Sequence, residues 1–145
     1  MRNDFILVVI ILFFASCGNK TPKPNPGLIP YDAKVGVGKF DKITVDAKLD
    51  ETMAERGSKI YVTKCFACHK LTDQKMVAPG WKGLTNRVTA EWIMNYITNT
   101  DAMLNIDPEA QKQLKTFGSR MPNQNLTDQD ARDIYEFMRK NDGIK

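Results

Sequence analysis

The sequence is poor in the side chains that hold metal ions. Its 145 residues include one histidine, His69, and three cysteines, Cys17, Cys65 and Cys68. A structural zinc site takes four ligands, mostly cysteine and histidine, and Cys17 lies far from the other three residues in the chain. The composition therefore argues against a zinc knuckle. With a single histidine, a metal also cannot take two imidazole ligands from one copy of the chain.

The sequence also lacks a long apolar run and a dense basic cluster. The apolar stretch Phe5 to Ala15 has eleven residues, whereas a transmembrane helix needs about 20. Of the formal net charge of +4, most lies in residues 18–49, which carry six lysines and three acidic residues, while residues 50–145 are nearly balanced. Nucleic-acid-binding proteins cluster Lys and Arg on one face, so nucleic acid is not an expected partner.

The first seventeen residues are similar to an export signal that ends in a lipid-attachment site. Arg2 precedes the apolar run, and small residues follow it, as in a signal peptide. Ala15-Ser16-Cys17-Gly18 resembles a bacterial lipoprotein box, although Phe14 stands where that motif usually has an aliphatic residue. We expect residues 1–17 to be a lipoprotein signal peptide that ends at an acylated Cys17. Ordinary signal cleavage and an uncleaved anchor are the alternatives.

Residues 18–49 are predicted to connect this anchor to a folded domain. Four prolines fall within nine residues of the stretch 18–31, and such a composition favours an extended, semi-rigid spacer. Residues 32–49 contain Phe40, Ile43 and Leu49, which are apolar enough to pack. We therefore predict a Pro-rich tether followed by an extended arm that lies on the domain of residues 50–145.

The chemistry of the chain centres on Cys65-Phe66-Ala67-Cys68-His69. Two cysteines separated by two residues and followed at once by histidine are the attachment signature of a c-type haem. Each thiol can add to one haem vinyl group, and His69 is then placed to ligate the iron. A redox-active CxxC expects a βαβ context, which the pattern lacks, and the export signal disfavours a chance match. We predict one haem c, bound covalently through Cys65 and Cys68.

The hydrophobic pattern after residue 49 predicts an all-α fold. The predicted helices span about residues 50–64, 89–99, 107–117 and 127–139. Asp50 and Thr127 are suitable N-caps, and Asp130 completes a capping box with Thr127. Gly57 and Tyr61 fall on one face of the first helix at helical spacing. A glycine inside a helix costs about 1 kcal/mol, so Gly57 needs a packing reason.

These features together resemble a class I cytochrome c over residues 50–145. The resemblance implies the class I cytochrome c fold, with three to five helices around one covalent haem and an extended N-terminal arm. In that family, a glycine and an aromatic residue on the first helix cross the last helix closely. Gly57 and Tyr61 match this pair, and we expect Ile134 and Phe137 to meet them.

The resemblance also assigns residues on the proximal side of the haem. Residues 78–87 are similar to a family loop in which a proline carbonyl, here that of Pro79, accepts a hydrogen bond from the proximal imidazole. Trp81 replaces the usual leucine and is expected to pack on the haem or seal its edge. Leu84 matches a haem-contacting leucine. Arg87 matches an arginine near a haem propionate, with an ordinary solvated charge as the alternative.

On the distal side, the resemblance assigns Tyr96 and Met121. Tyr96 matches a tyrosine whose hydroxyl approaches the axial methionine, and an ordinary half-buried tyrosine is the alternative. Met121, followed by Pro122 just before the last helix, stands where the family places its distal ligand. Met103 is the rival ligand, and an open site is a further alternative. The expected axial ligands are therefore His69 and Met121.

The resemblance implies an electron carrier rather than an enzyme, because His/Met ligation leaves the iron no open position. We expect a monomer anchored by lipid on the periplasmic side of a bacterial membrane. Its donor would be a quinol-oxidising complex and its acceptor a terminal reductase or oxidase, with nitrous oxide reductase as a candidate. The alternatives are a haem enzyme, a gas or redox sensor with an open sixth position, and a permanent electron-transfer subunit of a reductase complex.

Overall fold

Five α-helices and one π-helical turn make up the regular structure of the computed structural model, which describes residues 31–145. The helices are α1 (Glu51–Ile60), α2 (Ala90–Thr98), α3 (Thr100–Ile106), α4 (Pro108–Phe117) and α5 (Asp128–Asn141), and the π-helical turn Tyr61–Cys65 continues α1. Residues 31–145 contain no strand beyond one isolated bridge, so the all-α prediction is confirmed. The predicted signal peptide, its Cys17 and the tether as far as residue 30 lie outside the described residues.

Local signals start four of these helices. Asp50, Thr89, Asp107 and Thr127 each accept a hydrogen bond from the backbone N–H three residues further on. Thr127 also forms the expected capping box with Asp130. No helix within this part of the chain combines the length and the apolar character that crossing a membrane requires.

Helix α3 is a correction to the sequence analysis, which placed no helix between residues 99 and 107. The chain leaves helical geometry only at Asn99, with φ −132° and ψ 47°, and α3 begins at the next residue. This seven-residue helix has no side-chain cap, so it carries no local start signal. It is buried instead through Met103 and Leu104.

Helices α1 and α5 cross at close range, and Gly57 makes the approach possible. A Cβ on Gly57 would lie 2.1 Å from the carbonyl oxygen of Asp133 and 2.9 Å from Cβ of Phe137. The rings of Tyr61 and Phe137 pack with centroids 5.4 Å apart. The expected meeting of α1 with Phe137 is present. At Gly57 itself the nearest backbone is that of Asp133, while Ile134 is buried beside it in the core.

The arm, residues 31–49, lies on α2, and polar side chains of α2 form hydrogen bonds with the backbone of the arm. The side-chain amide of Asn95 donates to the carbonyl of Phe40 at 2.8 Å and accepts its N–H at 3.0 Å. Glu91 and Asn99, one turn before and one turn after Asn95, each bind one further backbone group of the arm. Residues four apart share one face of a helix, so α2 presents a polar stripe to the arm. Residues on the other faces of α2 are therefore available to line the candidate site.

Candidate haem-binding site

A cavity of about 660 Å³ lies beside the CxxCH motif. Its volume is within the range of about 300–1,000 Å³ that is typical of cofactor and ligand sites. The cavity gathers every site residue that the sequence predicted within residues 31–145: Cys65, Cys68, His69, Pro79, Trp81, Leu84, Arg87, Tyr96 and Met121. Residues 31–49 contribute nothing to its lining, so the arm leaves the cavity uncovered.

A π-helical turn leads into the motif, where the sequence predicted an ordinary helix. The N–H groups of Cys68 and His69 both donate to the carbonyl of Cys65, at 3.1 and 2.9 Å. This tight turn brings both thiols and the imidazole to the same cavity. The two cysteines form no disulfide with each other, and burial raises the pKa of the Cys65 thiol to about 11. Single π-helical turns are often found at functional sites.

The ring of His69 is held in one tautomer. Its Nδ1 lies 2.9 Å from the carbonyl oxygen of Pro79. A carbonyl can only accept, so Nδ1 carries the hydrogen and Nε2 is left with a lone pair. Burial lowers the pKa of His69, and the bond to Pro79 opposes this shift only in part. The side chain is therefore a neutral imidazole, the form that binds a metal.

Tyr61 and Trp81 hold the segment that carries this histidine. The Tyr61 hydroxyl donates to the carbonyl of His69 at 2.8 Å. The indole of Trp81 packs 5.4 Å from the His69 ring and 5.0 Å from the Tyr61 ring, measured between centroids. Trp81 is only 5% exposed and lines the cavity. It therefore occupies the place expected for a residue that packs against the haem or closes its edge.

Asp142, just beyond α5, fastens the loop that follows Trp81. Its carboxylate accepts from the N–H groups of Gly83 and Thr85 at 2.6 and 2.9 Å, and from the Thr85 hydroxyl at 2.7 Å. This anchor brings Leu84 to the cavity wall. Sequence reasoning missed Asp142, because its partners lie 57 to 59 positions away in the chain.

Arg87 lies at the rim of the cavity rather than inside it. Its guanidinium donates to the carbonyl of Lys82 at 3.0 Å, and the side chain is exposed. It shares the lining with other basic residues: Lys64, Lys75, Lys112 and Arg120. One acidic residue, Glu109, is also present there. A mainly basic rim suits the two carboxylates of a haem, so the placement of Arg87 is compatible with its predicted role.

Met121 reaches the cavity from the distal loop, residues 118–127, which joins α4 to α5. Its side chain is half-buried and packs against the core. Arg120 ties the loop to Asp101 at 2.7 Å, and Lys64 donates to the carbonyl of Gln124 at 3.0 Å. Both contacts are exposed to solvent.

The rival ligand Met103 is engaged elsewhere. Its side chain is fully buried, its sulfur accepts the N–H of Val37 at 2.9 Å, and it does not line the cavity. Met138 of α5 does line the cavity, although it was not predicted as a site residue. Of these three methionines, Met121 alone belongs to a loop.

The remaining walls are apolar, and most of these residues were not predicted as site residues. They come from α2, α4 and α5: Trp92, Ile93, Ile97, Leu114, Phe117 and Ile134. Apolar walls, two thiols, a neutral imidazole, a thioether and a basic rim together fit a haem that is attached through cysteine. Residues 31–145 contain no group of three His, Cys, Asp or Glu side chains that could hold another metal ion.

Comparison with known proteins points to one family. A family model described as "Cytochrome c" matches residues 54–142. Cytochrome c from Rhodothermus marinus is 26% identical, with a TM-score of 0.69 over 76% of this chain and 92% of that chain. An engineered form of it, Rma TDE, is 25% identical over 76% and 93% of the two chains, with a TM-score of 0.69. The same engineered protein bound to a carbene intermediate is also 25% identical, with a TM-score of 0.67 over the same shares of the two chains.

The comparison with curated proteins gave no match. Cytochromes c carry covalently bound haem c and typically transfer electrons, and Cys65 and Cys68 stand at the CxxCH positions. The family match covers more than half of the chain, and the solved structures share its fold. This chain therefore belongs to the cytochrome c family, as a class I c-type cytochrome.

Proposed function

We propose that this chain is a one-electron carrier whose single haem c is attached through Cys65 and Cys68 and ligated by His69 and Met121. The observation that carries the proposal is the cavity itself, which gathers both thiols, a neutral imidazole and a thioether. When bound, the haem supplies a ferric/ferrous couple, which exchanges one electron at a time.

The protein's own residues favour electron transfer over bond-making chemistry. The carbonyl of Pro79 fixes the His69 tautomer and makes the imidazole a stronger ligand. The thioether of Met121 favours the ferrous form and raises the reduction potential. Apolar residues from α2 and α5 line part of the cavity wall, so a bound haem would have a partly apolar surrounding. If His69 and Met121 both held the iron, a substrate would have no place to bind the metal.

We propose further that the carrier is anchored by lipid on the periplasmic side of a bacterial membrane. The support comes from the sequence alone: the short apolar run, the lipoprotein-like box at Cys17 and the Pro-rich tether. In such a place it would accept electrons from a quinol-oxidising complex. A terminal reductase or oxidase would receive them, and nitrous oxide reductase is one candidate.

The anchor can be tested apart from the haem. The full-length protein, expressed in a bacterium that processes lipoproteins, is expected in the membrane fraction. The Cys17→Ser variant is expected in the soluble periplasmic fraction with its haem intact. A wild-type protein that is found wholly in the soluble fraction, without an attached lipid by mass spectrometry, would contradict the anchor and leave the carrier proposal untouched.

A second function, chemistry at an open sixth position, is favoured by one observation. The distal loop that bears Met121 is tied down by two solvent-exposed contacts. One of the similar solved structures is an engineered cytochrome c bound to a carbene intermediate, so that engineered relative holds a ligand other than its own side chains. A loosely held Met121 would allow the same here.

A potentiometric titration of the haem-loaded protein, followed by carbon monoxide addition, separates the two functions. The carrier proposal expects one reversible one-electron wave and no spectral change when carbon monoxide is added to the ferrous protein. Ready carbon monoxide binding, together with a high-spin ferric spectrum, would overturn the carrier and favour the open site.

A further inference from the structure

Three carboxylates are buried in residues 31–145, and one of them has no cationic partner. Asp133 is 2% exposed and takes two hydrogen bonds of 2.7 Å from Arg56. Glu136 is fully buried and takes bonds of 2.9 and 2.7 Å from Arg139. Asp107 is also fully buried, but no Lys or Arg of the described residues forms an ion pair with it. Burial of an unpaired charge is costly, so this arrangement requires compensation.

Neutral donors provide that compensation. Oδ1 of Asp107 accepts the N–H of Ala110 at 2.8 Å, at the N-terminus of α4. Oδ2 accepts the indole N–H of Trp92 at 2.9 Å and the hydroxyl of Tyr31 at 2.5 Å. An indole and a backbone N–H can only donate, and an ionised carboxylate can only accept. The N-terminal end of a helix also favours negative charge. The site is therefore built for the ionised form of Asp107.

The charge of Asp107 lies one side chain away from the haem cavity. Trp92, which donates to Asp107, lines the cavity. Its ring packs 5.0 Å from that of Tyr96, which lines the cavity as well. The pKa of Tyr96 is raised first by burial and then by the negative charge of Asp107, against a smaller opposing effect of Arg120. Asp107 is therefore one hydrogen bond away from a residue that lines the cavity.

We propose that Asp107 is a positioning residue that lowers the reduction potential of the haem. A buried negative charge favours the ferric over the ferrous form, and its field is weakly screened in the low-dielectric interior. Asp107 also fixes the orientation of the Trp92 ring through the indole hydrogen bond. Tyr31 links this residue to the arm. The inference rests on the proposed function, because it requires a redox-active haem in the cavity.

The test compares midpoint potentials of the full-length, haem-loaded protein and its variants by spectroelectrochemistry. Asp107→Asn keeps the shape and removes the charge, and we expect a higher midpoint potential. Asp107→Glu keeps the charge, and we expect a potential closer to that of the wild type. The matched control is Asp133→Asn. The charge of Asp133 is paired with Arg56, whose side chain is 45% exposed, so water screens the field of this ion pair. We expect this control to shift the potential much less.

The outcomes separate the inference from the function on which it rests. A reversible wave whose midpoint is the same in wild type and Asp107→Asn, or equal shifts in Asp107→Asn and Asp133→Asn, would refute the inference alone. The absence of any reversible wave in the wild type would refute the proposed function and the inference with it.

A second variant covers a failure of Asp107→Asn to fold. Tyr31→Phe keeps the charge of Asp107 and removes one donor that neutralises it in part, so we expect a lower midpoint potential. An unchanged or higher potential in this variant would contradict the inference.

A readout without haem chemistry is the alkaline titration of tyrosine absorbance. Burial and the neighbouring Asp107 raise the pKa of Tyr31 to about 12, and Asp107→Asn should lower it. Tyr31→Phe identifies the signal of this phenol.

Discussion

The proximal segment, residues 65–88, and the distal loop, residues 118–127, meet at the same cavity but are held very differently. The proximal segment is fastened from the interior by the hydroxyl of Tyr61, the packing of Trp81 and the carboxylate of Asp142. In the distal loop Met121 and Leu126 pack against the core, but the polar side-chain contacts that join the loop to distant parts of the chain lie at the surface: the ion pair between Arg120 and Asp101 and the bond from the ammonium group of Lys64.

This difference assigns unequal roles to the two expected ligands. Surface ion pairs contribute about 0–1 kcal/mol and are screened by salt, whereas buried hydrogen bonds and packed rings are not exposed to this competition. His69 is therefore positioned by the fold before any metal arrives. Under the proposed ligation, Met121 would depend more on its own bond to the iron for its final position. Four substitutions test this contrast, and they follow in order of decreasing effect on stability.

The greatest loss of stability is expected from Gly57→Ala, which disrupts the close packing of α1 against α5. Helix α1 leads directly into the proximal segment. The new Cβ would lie 2.1 Å from the backbone oxygen of Asp133, so α1 must move away from α5. Overpacking of this kind costs typically 1–3 kcal/mol, and we expect about 3 kcal/mol in the free energy of unfolding. Chemical denaturation measures it. Glu55→Ala, on the exposed side of α1, is the control, and equal losses in both variants would contradict the packing argument.

Tyr61→Phe also tests the proximal segment, with a smaller expected loss of stability. The variant keeps the aromatic packing and removes the hydroxyl that donates to the His69 carbonyl. We expect a loss of about 1 kcal/mol in the free energy of unfolding, because a buried acceptor loses its partner. Tyr135→Phe is the matched control, since Tyr135 is also a buried residue but its hydroxyl makes no hydrogen bond within residues 31–145. If both variants lose the same stability, the Tyr61 bond has no special role.

Asp130→Asn tests the end of the distal loop through pH. The N–H and hydroxyl of Thr127 donate to Asp130 and lower the pKa of its carboxyl group. Because the pKa of Asp130 is lower in the folded than in the unfolded state, the ionised carboxylate stabilises the fold. This stabilisation is fully present above the pKa of the unfolded state and is lost as pH falls through the lowered pKa of the folded state. We therefore expect the wild type to lose more stability than Asp130→Asn between about pH 5 and pH 2. Parallel losses in both proteins, measured by urea denaturation, would show that the capping box does not contribute.

The least effect on stability is expected from Arg120→Gln. This change removes the exposed ion pair with Asp101, and we expect less than about 0.5 kcal/mol in the free energy of unfolding. The distal loop should nevertheless release Met121 more easily, so added imidazole should bind the ferric protein more tightly than it binds the wild type. Lys112→Gln, which removes an exposed charge outside the loop, serves as control. Unchanged imidazole binding in Arg120→Gln would show that this tether does not hold the ligand.

The part of the site that the sequence predicted rests on local signals. The CxxCH spacing and the helix caps at Asp50 and Thr127 are short-range patterns, whereas the role of Pro79 came from the family resemblance. The family resemblance then assigned Met121 and Trp81 to the cavity that the structure shows. The same resemblance predicted the meeting of Tyr61 with Phe137.

The parts that the sequence did not predict depend on contacts between distant residues or on the backbone. Asp142 lies more than fifty positions from the loop that it anchors, and α3 begins without a capping side chain. Phe40 and Ile43 of the arm pack against the core, as their apolar character suggested, but the hydrogen bonds between the arm and α2 go to backbone carbonyl and N–H groups of the arm. Backbone groups do not depend on the side chain, so the sequence did not indicate where these bonds form. Asp107 was expected only as a helix start, because nothing local indicates that Trp92 and Tyr31 also donate to it.

The most direct test of His/Met ligation is the optical spectrum of the oxidised, haem-loaded protein and of its Met121→Ala variant. A thioether bound to ferric haem iron gives a weak far-red absorption band. We predict this band in the wild type, its loss in Met121→Ala, and its retention in Met103→Ala, because Met103 lies outside the cavity. A wild-type spectrum without the band, or a band that survives in Met121→Ala, would contradict the assignment of Met121 as the distal ligand.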